Sequence, residues 1–233
     1  MRFESIRHNP HMFHRQVLAI VLPALLAVTA SPAQTIKVRT LALLEEKLPE
    51  VSLKGPEGFL PLVFSDVQPG ELVTAASANP LPLYKKTTDA EGKVAFAVAE
   101  SIKIPQNAKG ILLLAWTSGD KVRYLAIDDN FSEARFNDWL LINTGTRPVA
   151  FKVGDGSKPF LIPPGTSTTQ RISAPEGEGA TVLAQAPFDG KAKTFFSTYW
   201  PVYEDKRALV LFFDDGSKIR VKRISDKIIA GEP

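Results

Sequence analysis

The chain has no cysteine, and its three histidines and two methionines all fall within the first 14 residues. Whatever folds beyond that point works without thiol, imidazole or thioether. A Ser–His–Asp or Cys–His nucleophile is excluded there, as are zinc sites of the His/Cys kind and haem held by His, Cys or Met. Disulfides are excluded too, so packing of apolar surface has to hold the fold together. Charge of one sign is not in excess: 28 Lys+Arg face 25 Asp+Glu. The dense basic face of a nucleic-acid binder is therefore not expected. No Gly-rich loop follows a strand and opens a helix, so no nucleotide site is expected either.

Long apolar runs are scarce. The longest, Val17–Val28, has 12 residues, short of the roughly 20 that span a bilayer. Arg2, Arg7 and Arg15 precede it, and Thr29, Ala30, Ser31, Pro32 and Ala33 follow. This order predicts a secretory signal peptide over residues 1–33, with cleavage after Ala30 or Ala33 fitting the small-x-small rule and Ala33 preferred, and a start at Met12 giving the more usual short leader. The remainder is then periplasmic or extracellular, with no transmembrane segment after cleavage. The leader takes all histidine and methionine with it and leaves a nearly neutral chain.

What is abundant is turn chemistry, with 18 prolines and 15 glycines, and a hydrophobic content of 44% that suits a folded protein. Sixteen short apolar or alternating segments, from Ile36–Leu44 to Ile219–Ile224, are separated by turn pairs such as Glu91-Gly92, Ser118-Gly119, Asp189-Gly190 and Asp215-Gly216. Such spacing predicts an all-β sandwich or barrel. In Val94–Ala99, Val94, Phe96 and Val98 alternate with alanines, which predicts a strand with one core face. The best helical candidates are Leu41–Lys47, which could also extend the first strand or form a turn, and Ser132–Asn137, and neither supports a long helix.

The chain also repeats itself. Ile111–Asp129 aligns without a gap on Ala208–Asp226 at an offset of 97. Leu112, Leu114, Gly119, Lys121, Arg123, Ile127 and Asp129 match Leu209, Leu211, Gly216, Lys218, Arg220, Ile224 and Asp226. Each copy reads as a buried strand, a tight turn whose glycine supplies positive φ, and an alternating strand. An internal duplication is expected, giving two tandem β-sandwich-like domains, residues 34–130 and 131–233, joined by a polar linker over Asp128–Asp138.

The segments GFLPLVFSDVQPGE, PLPLYKK, RYLAIDDN, LLINTGTRPVAFKVG, PPGTS and STYWPVYEDKRALVLFF are similar to stretches of uncharacterised secreted two-domain β proteins of environmental bacteria, over most of residues 50–225. These motifs are turns and strands without known chemistry, so the resemblance implies an architecture and assigns no functional residue. LLINTGTRPVAFKVG also resembles the opening hairpin of small periplasmic β domains from polysaccharide-modification systems.

Three groups of residues carry the functional expectations. In the aromatic strand Lys193–Tyr203, one face presents Tyr199 and Tyr203 and the other Phe196 and Trp200. Exposed Tyr199, Trp200 and Tyr203 would stack on sugar rings, whereas burial would make Trp200 core and set the tyrosines over the domain seam. Pro201 has no N–H for a ladder, so this strand belongs at an edge. Lys218, Arg220 and Lys222 share a face that meets solvent, or else an anionic polysaccharide or membrane surface. Asp128-Asp129 and Asp214-Asp215 are the carboxylates available to a hydrolase of sugars, but a linker start and a hairpin turn explain them as well. Asp128, Asp129 and Asn130 cannot all face one ion from a strand, so no calcium site is expected. No metal or cofactor is expected. The sum favours a non-catalytic binding or structural module of the envelope or secretome, with polysaccharide or an envelope protein as partner. The alternative is a carboxylate-based extracytoplasmic enzyme acting on glycans.

Overall fold

Alternating and fully apolar segments between glycine turns can satisfy their backbone groups only by pairing, and they do so throughout. The structure, a computed structural model, describes residues 34–129, 137–172, 179–203, 206–216 and 218–227. The leader, Asn130, the central part of the expected linker and all but the last residue of Ser132–Asn137 lie outside the described residues. Among the described residues there are sixteen strands and no helix, so none is long and apolar enough to cross a membrane. The first half contains β1 (Thr35–Ala42), β2 (Ser52–Lys54), β3 (Phe59–Pro61), β4 (Val73–Ala76), β5 (Leu81–Thr88), β6 (Val94–Ile102), β7 (Gly110–Ser118) and β8 (Lys121–Asp128). The second contains β9 (Asp138–Asn143), β10 (Val149–Val153), β11 (Phe160–Ile162), β12 (Thr166–Arg171), β13 (Gly179–Phe188), β14 (Lys191–Pro201), β15 (Lys206–Asp215) and β16 (Lys218–Lys227).

The two halves have one topology. The first half forms sheets β4-β1-β7-β8 and β3-β2-β5-β6, and the second forms β12-β9-β15-β16 and β11-β10-β13-β14. Adding eight to every strand of the first half reproduces the second. Even the uncommon feature recurs, a parallel pair of first and seventh strands: β1 with β7, and β9 with β15. The β7–β8 and β15–β16 turns place Gly119 and Gly216 at φ 62° and 61°, a conformation that glycine adopts without strain. The fold is thus all-β, in two tandem sandwich-like halves, and the repeat seen in one hairpin extends to the whole topology.

Three apolar layers lie between the four sheets. Ile36, Val38, Leu53, Leu83, Ile111 and Leu113 fill the first sandwich. Trp139, Phe151, Val182, Val210 and Phe212 fill the second. The third layer joins the halves: Leu41, Leu112, Leu114 and Ile127 meet Leu140, Ile142, Leu209, Leu211 and Ile224. Sheets β4-β1-β7-β8 and β12-β9-β15-β16 therefore face each other across a seam. Their central strands β7 and β15 are covered on both sides, which is why ILLLA and ALVLFF are continuous apolar runs rather than alternating ones.

At one end the seam encloses four charges. The Arg39 guanidinium donates to Asp129 from Nε (3.0 Å) and Nη2 (2.8 Å), and to Asp226 from Nη1 (3.1 Å) and Nη2 (2.9 Å). Arg207 donates to Asp226 from Nε (2.8 Å) and to Asp129 from Nη2 (2.7 Å). All four side chains are at most 6% exposed. Burial alone would lower the Arg39 pKa, but the hydrogen bonds and charges of Asp226 and Asp129 outweigh it and hold the group above its ordinary value. Asp129, read from the sequence as a turn-capping residue at the start of a linker, is a buried member of this group. It is buried because its N–H continues the β8 ladder to the Gly110 carbonyl (3.0 Å), which turns its side chain into the seam. A Cβ at Gly110 would lie 2.8 Å from the Asp129 carbonyl oxygen, so glycine is needed for this approach.

One expectation about a strand face changes. In β5–β6 the register shifts at Leu83/Tyr84, leaving Ala99 as an extra residue. The bulge reverses the parity of β6. Ile102 therefore faces the core, while Val94 and Val98 are more than half exposed and Phe96 stacks on Phe59 with ring centroids 3.9 Å apart. Leu41–Lys47 takes the strand-extending course open to it and not the helical one. It continues β1 through Ala42 and then bends.

Removing one partner of a buried ion group leaves an uncompensated charge at a cost of about 3–5 kcal/mol. Asp226→Ala is accordingly expected to lower the urea unfolding free energy by about that amount. Joint replacement of Arg39, Arg207, Asp129 and Asp226 by Met or Leu is expected to cost far less. A loss below about 1 kcal/mol for Asp226→Ala would mean that the four charges are solvated.

Candidate binding site

At the opposite end of the seam, about 25 Å along β15 at the usual strand rise, the same two sheets stand apart around a cleft of about 520 Å³. Its walls are built from corresponding positions of the two halves. The β7–β8 hairpin supplies Trp116, Thr117, Ser118 and Gly119, and the β15–β16 hairpin supplies their 97-residue mates Phe213, Asp214, Asp215 and Gly216. The loops after β1 and β9 add Leu43, Leu44, Thr144 and Thr146, and β8 adds Arg123. Arg123 is the direct cross-strand partner of Trp116, so the guanidinium and the indole start from neighbouring positions on one face. Trp116 and Phe213 both pack against the seam core, which fixes them as walls.

The loops are tied to the strands by one device used twice with its parts exchanged. In the first half, Glu46 of the loop accepts from the Thr117 N–H of β7 (2.8 Å) and from the Thr117 hydroxyl. In the second, Asp214 of β15 accepts from the Thr146 N–H (2.7 Å) and hydroxyl (2.8 Å) of the loop. Thr117 and Asp214 are repeat mates, so carboxylate and threonine have traded places. Asp214 also accepts from Arg147 Nη2 at 3.0 Å. Its partial burial would raise the carboxyl pKa, but the bonds from Arg147 and Thr146 outweigh that and hold it below 3.8. Asp214 is thus an anchored anion near neutral pH and not a proton donor. Asp215 pairs with Arg220 at 2.9 Å.

The remaining carboxylates lie far from these. Asp129 is enclosed by its two arginines at the other end of the seam. Asp128 beside it is exposed, with a pKa raised by desolvation and by the Asp129 charge. Asp128-Asp129 and Asp214-Asp215 therefore cannot share the 5–10 Å spacing, roughly, of a two-carboxylate hydrolase. Among the described residues no group of three or more His, Cys, Asp or Glu is placed to hold a metal ion.

The structure separates the aromatic and basic residues named from the sequence. Strand β14 is an edge strand, as Pro201 requires. Trp200 lies on its inner face against Trp139 (5.6 Å), Phe151 (6.1 Å) and Phe196 (5.4 Å), so it is half-buried against the core of the second half and does not share the outer face with Tyr199. Tyr199 is on the outer face and 60% exposed, but its ring lies over Gly179, whose N–H donates to the Tyr199 oxygen at 2.7 Å. A Cβ at Gly179 would come within 2.4 Å of that ring, so the bare glycine accommodates it. Tyr203, 46% exposed, is instead next to Lys206 and Arg223. Neither tyrosine belongs to the apolar layer between the halves. On β16, Lys218 is exposed and Arg220 is occupied by Asp215. Lys222 is half-buried and donates to the Leu43 carbonyl (3.1 Å) and Asp66 (3.2 Å) of the first half. The basic stripe is thus divided between solvent and the seam. Sequence reasoning missed Trp116 and Arg123 as site residues, although the repeat alignment already placed both beside the hairpin.

Because Asp214 has a lowered pKa in the folded protein, its contribution to stability is complete above the unfolded carboxyl value and is lost as the pH falls through the folded one. The difference in unfolding free energy between wild type and Asp214→Asn is expected to stay constant above about pH 5 and to shrink on acidification below 3.8. A difference that grows on acidification would contradict this placement of Asp214.

No family model matches the chain, and no curated protein is significantly similar to it.

Proposed function

We propose that this protein is an exported, non-catalytic binding module of the cell envelope or its surroundings that holds a glycan in the cleft at the end of the seam. The observation that carries this reading is a cleft of about 520 Å³ walled by Trp116 and Phe213, equivalent aromatic residues of the two repeats. Ligand pockets commonly measure about 300–1,000 Å³, combine apolar walls with a few polar groups, and lie where domains meet. An indole or phenyl face offers a sugar ring an apolar platform. Ser118 and Arg123 line the same space. The carboxylates there are bonded to threonine and arginine, which suits holding a ligand better than proton transfer to it. The apolar leader Val17–Val28 supports export.

Calorimetric titration of the purified protein against neutral and acidic oligosaccharides tests the reading. Binding is expected, weakened at least tenfold by Trp116→Leu, a change that keeps an apolar side chain in the seam and is checked for an unaltered circular dichroism spectrum. Tyr199→Ala with Tyr203→Ala is expected to leave binding intact. Loss in the tyrosine variant alone would move the site to β14, and no binding across the panel would end the glycan reading.

A further inference from the structure

The two hairpins around the cleft differ at one place where their geometry predicts a match. In the second half Arg220 lies across from Phe213 in the ladder, and its Nε donates to Asp215 at 2.9 Å. In the first half Arg123 lies across from Trp116 in the equivalent register. The residue corresponding to Asp215 is Ser118. A neutral hydroxyl thus replaces the carboxylate that neutralises the equivalent arginine. Among the described residues Arg123 forms no ion pair, and it lines the cleft. The acids of the cleft are engaged elsewhere: Glu46 by Thr117, Asp214 by Thr146 and Arg147, and Asp215 by Arg220, while Glu100, which lines a second hollow with Arg123, forms no ion pair with it.

We propose that the cleft selects an acidic sugar, a hexuronate unit whose carboxylate takes on Arg123 the place that Asp215 occupies on Arg220. The ring rests against Trp116, next to Arg123 in the ladder, and the planar carboxylate meets the guanidinium in the paired geometry that arginine favours. Ser118 leaves room for that carboxylate and offers a hydroxyl to it. A free phosphate or sulfate lacks the ring that the indole recognises, and a neutral sugar lacks the charge. The inference rests on the glycan-binding reading above and adds the class of sugar.

The test uses the full protein with tri-galacturonate and its fully methyl-esterified form, which keeps the rings and removes the charges. Wild type is expected to bind the acid at least tenfold more tightly than the ester. Arg123→Gln is expected to remove that preference, weakening the acid about tenfold and leaving the ester unchanged. Ser118→Asp is expected to rebuild the internal ion pair of the second half, and so to abolish acid binding in a protein at least as stable as wild type. Equal binding of acid and ester by wild type, or an Arg123→Gln effect shared by both, overturns the selection for acid while the glycan reading survives through Trp116→Leu. Retained acid binding in Ser118→Asp overturns the assignment of the carboxylate to Arg123. Absence of binding to either probe, with neutral oligosaccharides still bound, also overturns it.

Discussion

Two arginines and two aspartates, all nearly inaccessible to water, can remain charged only in one another's company. Each would carry a desolvation penalty of several kcal/mol alone, so the structure has to bring them together from β1, the residue after β8, the start of β15 and the end of β16. Apolar contact across the seam supplies most of the attraction but has no direction. Guanidinium–carboxylate bonds do, and they fix how the two inner sheets lie on each other. Arg39 joins acids 90 and 187 residues away in sequence, one from each half. With that end of the seam pinned, the strands carry the constraint to the far end. There the two hairpins and their loops form the walls of the cleft.

The same group shows how a duplicated chain departs from symmetry. Leu112 and Leu209, Leu114 and Leu211, and Ile127 and Ile224 are equivalent residues that meet in the seam, as they would in a two-fold dimer of single repeats. Asp129 and Asp226 are equivalent too. Two identical acids brought together in an apolar layer would repel each other and take up protons. The arginines that prevent this are not equivalent. By strand register Arg39 corresponds to Leu140, and by the 97-residue offset Arg207 corresponds to Gly110. Each half gives one cation from a different position, and the four charges sum to zero. Lys222, at the position of Leu125, extends the asymmetry by reaching the Leu43 carbonyl and Asp66.

Much of this architecture was legible in the residues. The sixteen strand segments and their glycine turns follow from local spacing, and the 97-residue offset exposes the repeat because charged positions match along with apolar ones. Unbroken runs such as Ile111–Ala115 and Ala208–Phe213 belong to strands covered on both faces. What was not legible depends on contacts between distant segments. Alternation in Val94–Val98 says that one face is apolar but not which side it takes, and the bulge at Ala99 sets that. Asp129 reads as a turn residue because nothing local announces Arg39 and Arg207. Tyr199 and Trp200 are neighbours of similar chemistry, and only the pairing of β14 with β13 sends one outward and the other against the core. The cleft was hidden for the same reason. Its walls come from four loops and hairpins that are adjacent only once the seam has closed.

Differences between the repeats can be sorted by whether they are compensated. Thr117 and Asp214 differ, yet the loop opposite has changed with them, so that a carboxylate still binds a threonine on each side of the cleft. That pattern is what a structural requirement produces: the bond is kept while its parts exchange. Ser118 and Asp215 also differ, but nothing else in the described first half supplies Arg123 with the missing charge. An exposed arginine without a partner contributes little to stability, so a structural need does not explain its place beside Trp116. Positions that break local consistency without a structural return are where function is expected to lie, and loops and hairpin ends on a rigid scaffold are where it is most often placed. The stiff seam, pinned by its four charges, supplies that scaffold, and the uncompensated cation at its open end supplies the specificity.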